Sequence, residues 1–146
     1  MPTLTLLTAK GTMHDTGGLN WGFNPRNHTR SFDAYIPLHI GTIRQNLDFF
    51  SPKIGRSKNI LTFTWDDGTV MHGLFEGSMR NVRDGLRYPK QISTYPHKDQ
   101  LGRYLRRRLG INVLRRVTIA DLMDYGRTTI DIHRTGPNEY LLDFHI

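Results

Sequence analysis

Apolar residues recur along this chain in two rhythms, and the rhythms divide it into short elements. Asn59 to Trp65 and Thr69 to Phe75 are rich in β-branched and aromatic residues and are expected to be strands. Between them, Asp66-Asp67-Gly68 supplies the Asp-Gly pair of a tight hairpin. Thr128 to His133 and Tyr140 to Phe144 alternate apolar and polar positions, as half-buried strands do, with a turn at Gly136-Pro137-Asn138. Ala34 to Pro37 reads as a further strand, with Pro37 marking its exit.

The second rhythm is helical. Ile40, Ile43, Leu47 and Phe50 have the spacing of a short amphipathic helix. Leu101, Tyr104, Leu105 and Leu109 form one face of a helix over Asp99 to Leu109, and Gly110 stands where a left-handed cap belongs. Arg103, Arg106 and Arg107 are expected to leave that helix by the opposite face. Thr118-Ile119-Ala120-Asp121 predicts a capped helix start, and Gly126 its end. The sum is a mainly β chain with short helices, expected to form a single domain over residues 1–146.

Two stretches fit neither rhythm. Gly17 to Ser31 mixes glycine, asparagine and arginine with Trp21 and Phe23, and Gly77 to Gln91 does the same with more arginine. Connections in compact domains usually run to about 4–6 residues, so stretches this long are functional or disordered. Trp21, Phe23, Leu86 and Tyr88 argue against disorder. Their polar side chains match the groups that read base edges: arginine for guanine, asparagine for adenine, Asp84 for cytosine. Asparagine and glycine also simply build turns, and composition leaves both readings open.

Charge sharpens this picture. Between Glu76 and Arg116 lie eleven Lys/Arg against three acids, an excess that accounts for the whole net charge of +7. Nine of the eleven are arginine, whose planar fork suits phosphate and guanine. A local field of this sign and density predicts a nucleic-acid partner. The absence of cysteine excludes disulfides, thiolate metal sites and a thiol nucleophile. No two of the seven histidines are three or four residues apart, so neither a metal nor a cofactor is expected. Apolar runs are too short to span a bilayer, no membrane partner is expected, and the N-terminal residues lack a signal-peptide pattern, which predicts a cytoplasmic protein.

Several motifs follow one another in a recognisable order: Gly18-Leu19-Asn20-Trp21-Gly22, Ala34-Tyr35-Ile36-Pro37-Leu38, Asp66-Asp67-Gly68, Leu101-Gly102-Arg103-Tyr104-Leu105-Arg106-Arg107-Arg108-Leu109-Gly110, Asp121-Leu122 and Tyr125-Gly126-Arg127. From about Gly18 to Phe144 the chain resembles the DNA-recognition domain of restriction endonucleases whose nuclease is of the phospholipase-D type. Those domains share the B3-like pseudobarrel of plant transcription factors and of type IIE effector domains. The resemblance implies a seven-stranded open barrel with two arms that grip the major groove of double-stranded DNA. Arm 1 would carry Asn20, Trp21, Asn24, Arg26, Asn27, His28 and Arg30; arm 2 would carry Glu76, Ser78, Arg80, Asn81, Arg83, Asp84, Arg87 and Lys90. Lys98, Arg103, Arg106 and Arg107 would position phosphates. Arm 2 departs from the Gln-rich, Lys-ended segment expected there, reading Phe75-Glu76-Gly77-Ser78-Met79-Arg80-Asn81, so the target site does not carry over.

Catalytic patterns are sparse. His97-Lys98-Asp99 has the letters of the phospholipase-D signature without its spacing. Asp66 and Asp67 are the adjacent acid pair, and Gly68 explains them as a turn. The expectation is a non-catalytic recognition or effector domain whose nuclease lies on a domain absent from this chain. Two alternatives stand beside it: a small Mg-dependent endonuclease using Asp66, Asp67, Glu76 and an arm lysine, and an RNA-binding β-barrel stacking bases on sheet aromatics.

Overall fold

A computed structural model describes residues 2–26, 29–53, 59–83, 85–111 and 114–146. Nine strands, three α-helices and a 3-10 helix follow in chain order among these residues: β1 (Thr3–Thr5), the 3-10 helix (Gly18–Phe23), β2 (Ile36–Pro37), α1 (Ile40–Gln45), β3 (Leu61–Trp65), β4 (Val70–Glu76), β5 (Met79–Arg83), β6 (Leu86–Tyr88), β7 (Gln91–Thr94), α2 (Asp99–Arg108), α3 (Ile119–Tyr125), β8 (Thr129–Gly136) and β9 (Glu139–Asp143). Seven strands form one sheet in the order β1-β8-β9-β3-β4-β7-β2, and β5 with β6 forms a separate two-stranded sheet. Within the large sheet β3 and β9 are parallel, and the other neighbours run antiparallel. The edge strands β1 and β2 approach one another, so the sheet curls into a nearly closed barrel, the expected B3-like architecture.

The pattern of side chains drives that closure. β3 alternates buried Leu61, Phe63 and Trp65 with half-exposed Thr62 and Thr64, and β8 and β9 alternate in the same way. Phe50, Phe63, Phe75 and Tyr140 meet inside the barrel with ring centroids 5.3–6.4 Å apart. Phe50, Phe63 and Tyr140 are buried and contribute about 1.5–3 kcal/mol of transfer free energy each, while Phe75 is partly buried against them. The β3–β4 turn closes as expected, with the Trp65 N–H donating to Thr69 O and the Gly68 N–H to Trp65 O, both within 2.9 Å.

Helix ends follow local chemistry. Thr118 and Asp121 form a reciprocal capping box, and Gly126 ends α3 at φ 120°. Gly110 follows α2 at φ 76°. The helix expected over Ile40 to Phe50 stops at Gln45. Asn46 sends its side-chain amide back to Thr42 O, and its carbonyl caps Phe49 and Phe50 in a turn, so Phe50 still reaches the core by a non-helical path.

Candidate nucleic-acid interface

Arm 1 leaves the barrel through the 3-10 helix and returns at Asp33. Its base is closed by a Gly22 N–H bond to Asp33 O at 2.9 Å, and the Asp33 carboxylate accepts from the Arg30 N–H at 2.9 Å. At the far end Asn24 Oδ1 accepts from the Arg26 N–H, an Asx turn at 2.9 Å. Arg26 and Arg30 are exposed; Asn24 is half-buried. Trp21 lies edge-on to Tyr35 with ring centroids 5.3 Å apart, which makes it an anchor of the arm. Asn27 and His28 lie outside the described residues.

Asn20 occupies a different place from the one its motif implies. It is 1 % exposed, and its side-chain amide donates to His14 O (2.7 Å) and Val117 O (2.9 Å) while accepting from Val117 N–H (2.7 Å). Every polar atom of the side chain is thus spent on fastening arm 1 to the chain before α3, and none is left for a base edge.

Arm 2 interrupts what would otherwise be a direct β4–β7 hairpin. Lys90 N–H donates to Glu76 O at 2.8 Å, closing the ladder, and the residues between fold outward as β5 and β6. Gly77 permits that exit. It sits at φ 82°, and a Cβ there would lie 2.3 Å from Lys90 Cγ. The β5–β6 register shifts between Met79 and Arg83, with Asn81 at φ 66°, as at a bulge. Ser78, Arg80, Asn81, Arg83, Arg87 and Lys90 are all exposed, while Asp84 lies outside the described residues. Two cations that the sequence reading passed over brace this hairpin. Arg44 of α1 donates to Asn81 O; Lys53 donates through Nζ to Gly77 O and through its backbone N–H to Arg87 O, both at 2.7 Å. Neither has a local sequence signal, because each works across a gap of more than twenty residues.

α2 carries four arginines with four separate fates. Arg103 and Arg107 are exposed, and Arg103 pairs with Asp99 at 3.1 Å while lying 4.5 Å over the Phe32 ring. Arg106 corrects the expectation that it leaves by the outer face. It is 2 % exposed, and its guanidinium donates to Leu19 O (3.3 Å) and Arg115 O (3.1 Å). The reason lies one turn earlier at Gly102. A Cβ there would fall 1.8 Å from Phe32 O, so the helix surface is open just where the arm 1 backbone crosses it, and that crossing covers Arg106. Phe32, Arg103, Arg106, Arg107 and Ile111 line a shallow hollow of about 170 Å³ at this crossing.

Arg108 turns inward at the other side of α2. It holds Asp66 in a two-pronged pair (2.7 and 2.8 Å) and donates to Tyr104, Tyr125 and Phe144 O. Its position three residues past Leu105 and seven past Leu101, within the apolar face, is the signal that could have identified it. Burial works to raise the Asp66 carboxyl, but hydrogen bonds from Arg108 and the Phe144 N–H outweigh it and hold the carboxyl below its ordinary range. Burial pushes the Tyr104 phenol upward, so it stays protonated and donates to Asp67 at 2.9 Å.

Lys98 stands between the two arms. Its Nζ is 3.3 Å from Glu76 Oε1 and 4.9 Å over the Trp21 ring, so it too is partly committed within the protein. Glu76, expected to face DNA, points its Oε1 into this contact. Among the described residues, Arg26, Arg30, Arg80, Arg83, Arg87, Lys90 and Arg107 are cations with no carboxylate within 4.0 Å. Elsewhere Arg108 is paired with Asp66, Arg115 with Asp121 and Arg127 with Asp131, whereas exposed Lys10, Arg44, Lys53, Arg116 and Arg134 likewise have no carboxylate partner among the described residues. Seven of the cations without a carboxylate partner thus lie on the arms and the exposed face of α2. Asp66, Asp143 and His145 also come together, but Asp66 is already saturated by Arg108 and Phe144 N–H.

Residues 2–136 match the family model of the NgoFVII C-terminal B3-like DNA-binding domain. No curated protein matches the chain.

Proposed function

The chain belongs to the family of the NgoFVII C-terminal B3-like DNA-binding domain of a restriction enzyme, and from that premise we propose that it reads a specific sequence in double-stranded DNA through arms 1 and 2. DNA is the partner of this family; the groove and the specificity are our reading. The observation that carries it is the concentration of exposed cations on the two arms. Cations with no carboxylate partner among the described residues sit at Arg26, Arg30, Arg80, Arg83, Arg87 and Lys90, beside exposed Asn81 and Ser78 that offer base-edge hydrogen bonds. Arg103 and Arg107, on the exposed face of α2, hold phosphates and set the register of the duplex.

We propose further that this chain supplies recognition, joined to a nuclease on another domain, and does not cleave. The acids of a self-contained metal site are apart: Asp66 and Asp67 lie in the turn before β4 and Glu76 at its far end, about 20 Å away at strand rise. The RNA alternative needs exposed aromatics on a sheet face, yet among the described residues Tyr95 is the one large exposed aromatic. Incubation of the isolated chain with plasmid DNA at saturating binding, with Mg²⁺, Mn²⁺ or chelator, tests the first point. No nicking is expected; specific nicking abolished by Asp67→Ala overturns the recognition-only reading.

A further inference from the structure

Arms 1 and 2 are fastened to different supports, α2 for the first and α1 with residue 53 for the second. Among the described residues no hydrogen bond or ion pair joins one arm directly to the other. Lys98 reaches both. Its ammonium lies 3.3 Å from Glu76 Oε1, at the root of arm 2, and 4.9 Å over Trp21, in the root of arm 1. Its carbonyl accepts from the Ala34 N–H at 3.3 Å, just past the return of arm 1. Glu76 Oε1 is sealed from solvent and has no hydrogen-bond partner, so the Lys98 ammonium is the charge that compensates it. Trp21 is itself held by Tyr35, which gives the ammonium a fixed face to rest on.

We propose that Lys98 is a positioning residue: it ties the roots of the two arms together and so sets the gap into which a duplex must fit. This rests on the reading of the arms as DNA grips. Its ammonium is spent on Glu76 and Trp21 and is not a phosphate ligand. A fixed gap means that the ordering of the arms is complete before DNA arrives, and a preorganised pair loses less on binding. Without the tie each arm stays folded on its own support, but their separation spreads.

The chain has no cysteine, so Arg26→Cys and Leu86→Cys can carry a pair of spin labels, one on each arm. In the DNA-free protein one narrow distance population is expected with Lys98 or Lys98→Arg. Lys98→Met and Glu76→Gln should each broaden it, and combining them should add little. Melting curves establish that each variant is folded, and Glu76→Gln serves should Lys98→Met not fold. In binding, Lys98→Met should lower the preference for the selected duplex over random duplex by roughly tenfold. The salt dependence of random-duplex binding should be unchanged. Unaltered label distances in both variants overturn the proposal, as does a salt slope lowered by about one, the mark of a lost phosphate contact. Failure of the unlabelled wild type to prefer any duplex removes the reading of the arms as sequence readers, while the label distances still decide the tie.

Discussion

Both arms carry arginine at exposed positions, but arm 1 is built into the interior and arm 2 is built onto the surface. Arm 1 begins on Asn20, whose amide is buried against His14 and Val117, and crosses α2 at Gly102 over the buried Arg106. Arm 2 is a two-stranded hairpin whose polar residues face solvent and whose braces, Arg44 and Lys53, bind backbone carbonyls from outside. Under the proposed function the contrast separates stability from reading. Changes at the root of arm 1 act on the whole fold, because they orphan buried polar groups; changes on arm 2 act on what is bound.

The largest effect is expected at the crossing. Gly102→Ala places a methyl 1.8 Å from Phe32 O, where neither backbone can yield. We expect loss of 3 kcal/mol or more, roughly the cost of severe overpacking or outright misfolding. Asn20→Ala should cost about 3 kcal/mol by stranding the backbone groups of His14 and Val117. Urea denaturation measures both. A fall below 1 kcal/mol in each would mean that arm 1 is no more built in than arm 2.

Arm 2 should behave in the opposite way. Arg80→Ala and Arg83→Ala are expected to leave the urea midpoint unchanged, and at least one should relax discrimination at one base pair by about 1–3 kcal/mol. Binding to a panel of single-substituted duplexes reads this out, and equal weakening on every duplex would reduce arm 2 to a backbone grip.

Acid sharpens the same division. Asp66 and Asp121 are held below the ordinary carboxylate range, Asp66 against burial by Arg108 and Phe144 N–H, Asp121 by Arg115. A depressed carboxyl stabilises the fold above its unfolded pKa of about 4 and gives up that contribution as pH falls below it. The melting temperature should therefore drop on acidification below about pH 4. Asp66→Asn should flatten the drop, whereas Arg80→Ala and Arg83→Ala should leave it as in the wild type. The smallest effect belongs to Arg103→Ala and Arg107→Ala, each expected to lower the salt slope of binding by about one on specific and random duplexes alike. A change of preferred sequence in either would make it a base reader.

What the sequence disclosed was local chemistry. The Asp66-Asp67-Gly68 turn, the Thr118–Asp121 capping box and the alternation in β3, β8 and β9 all depend on residues a few positions apart, and all stand in the structure. The hairpin of arm 2 was missed because the register shift around Asn81 puts the half-buried Met79 and Val82 three residues apart, which breaks the alternation that marks a strand. Arg106 and Asn20 could not be placed by spacing at all. Their burial depends on Phe32 crossing Gly102 and on Val117 meeting Asn20 over nearly a hundred residues, a tertiary event that no helical period encodes.

The central claim, that two arms of one barrel read a duplex sequence, is tested most directly by selection from a pool of randomised double-stranded DNA using the isolated chain. The account predicts enrichment of one short motif, lost from the selection by Arg80→Ala with Arg83→Ala while the protein remains folded. A pool that returns no motif, or binding that single-stranded RNA competes away more strongly than duplex DNA, would contradict it.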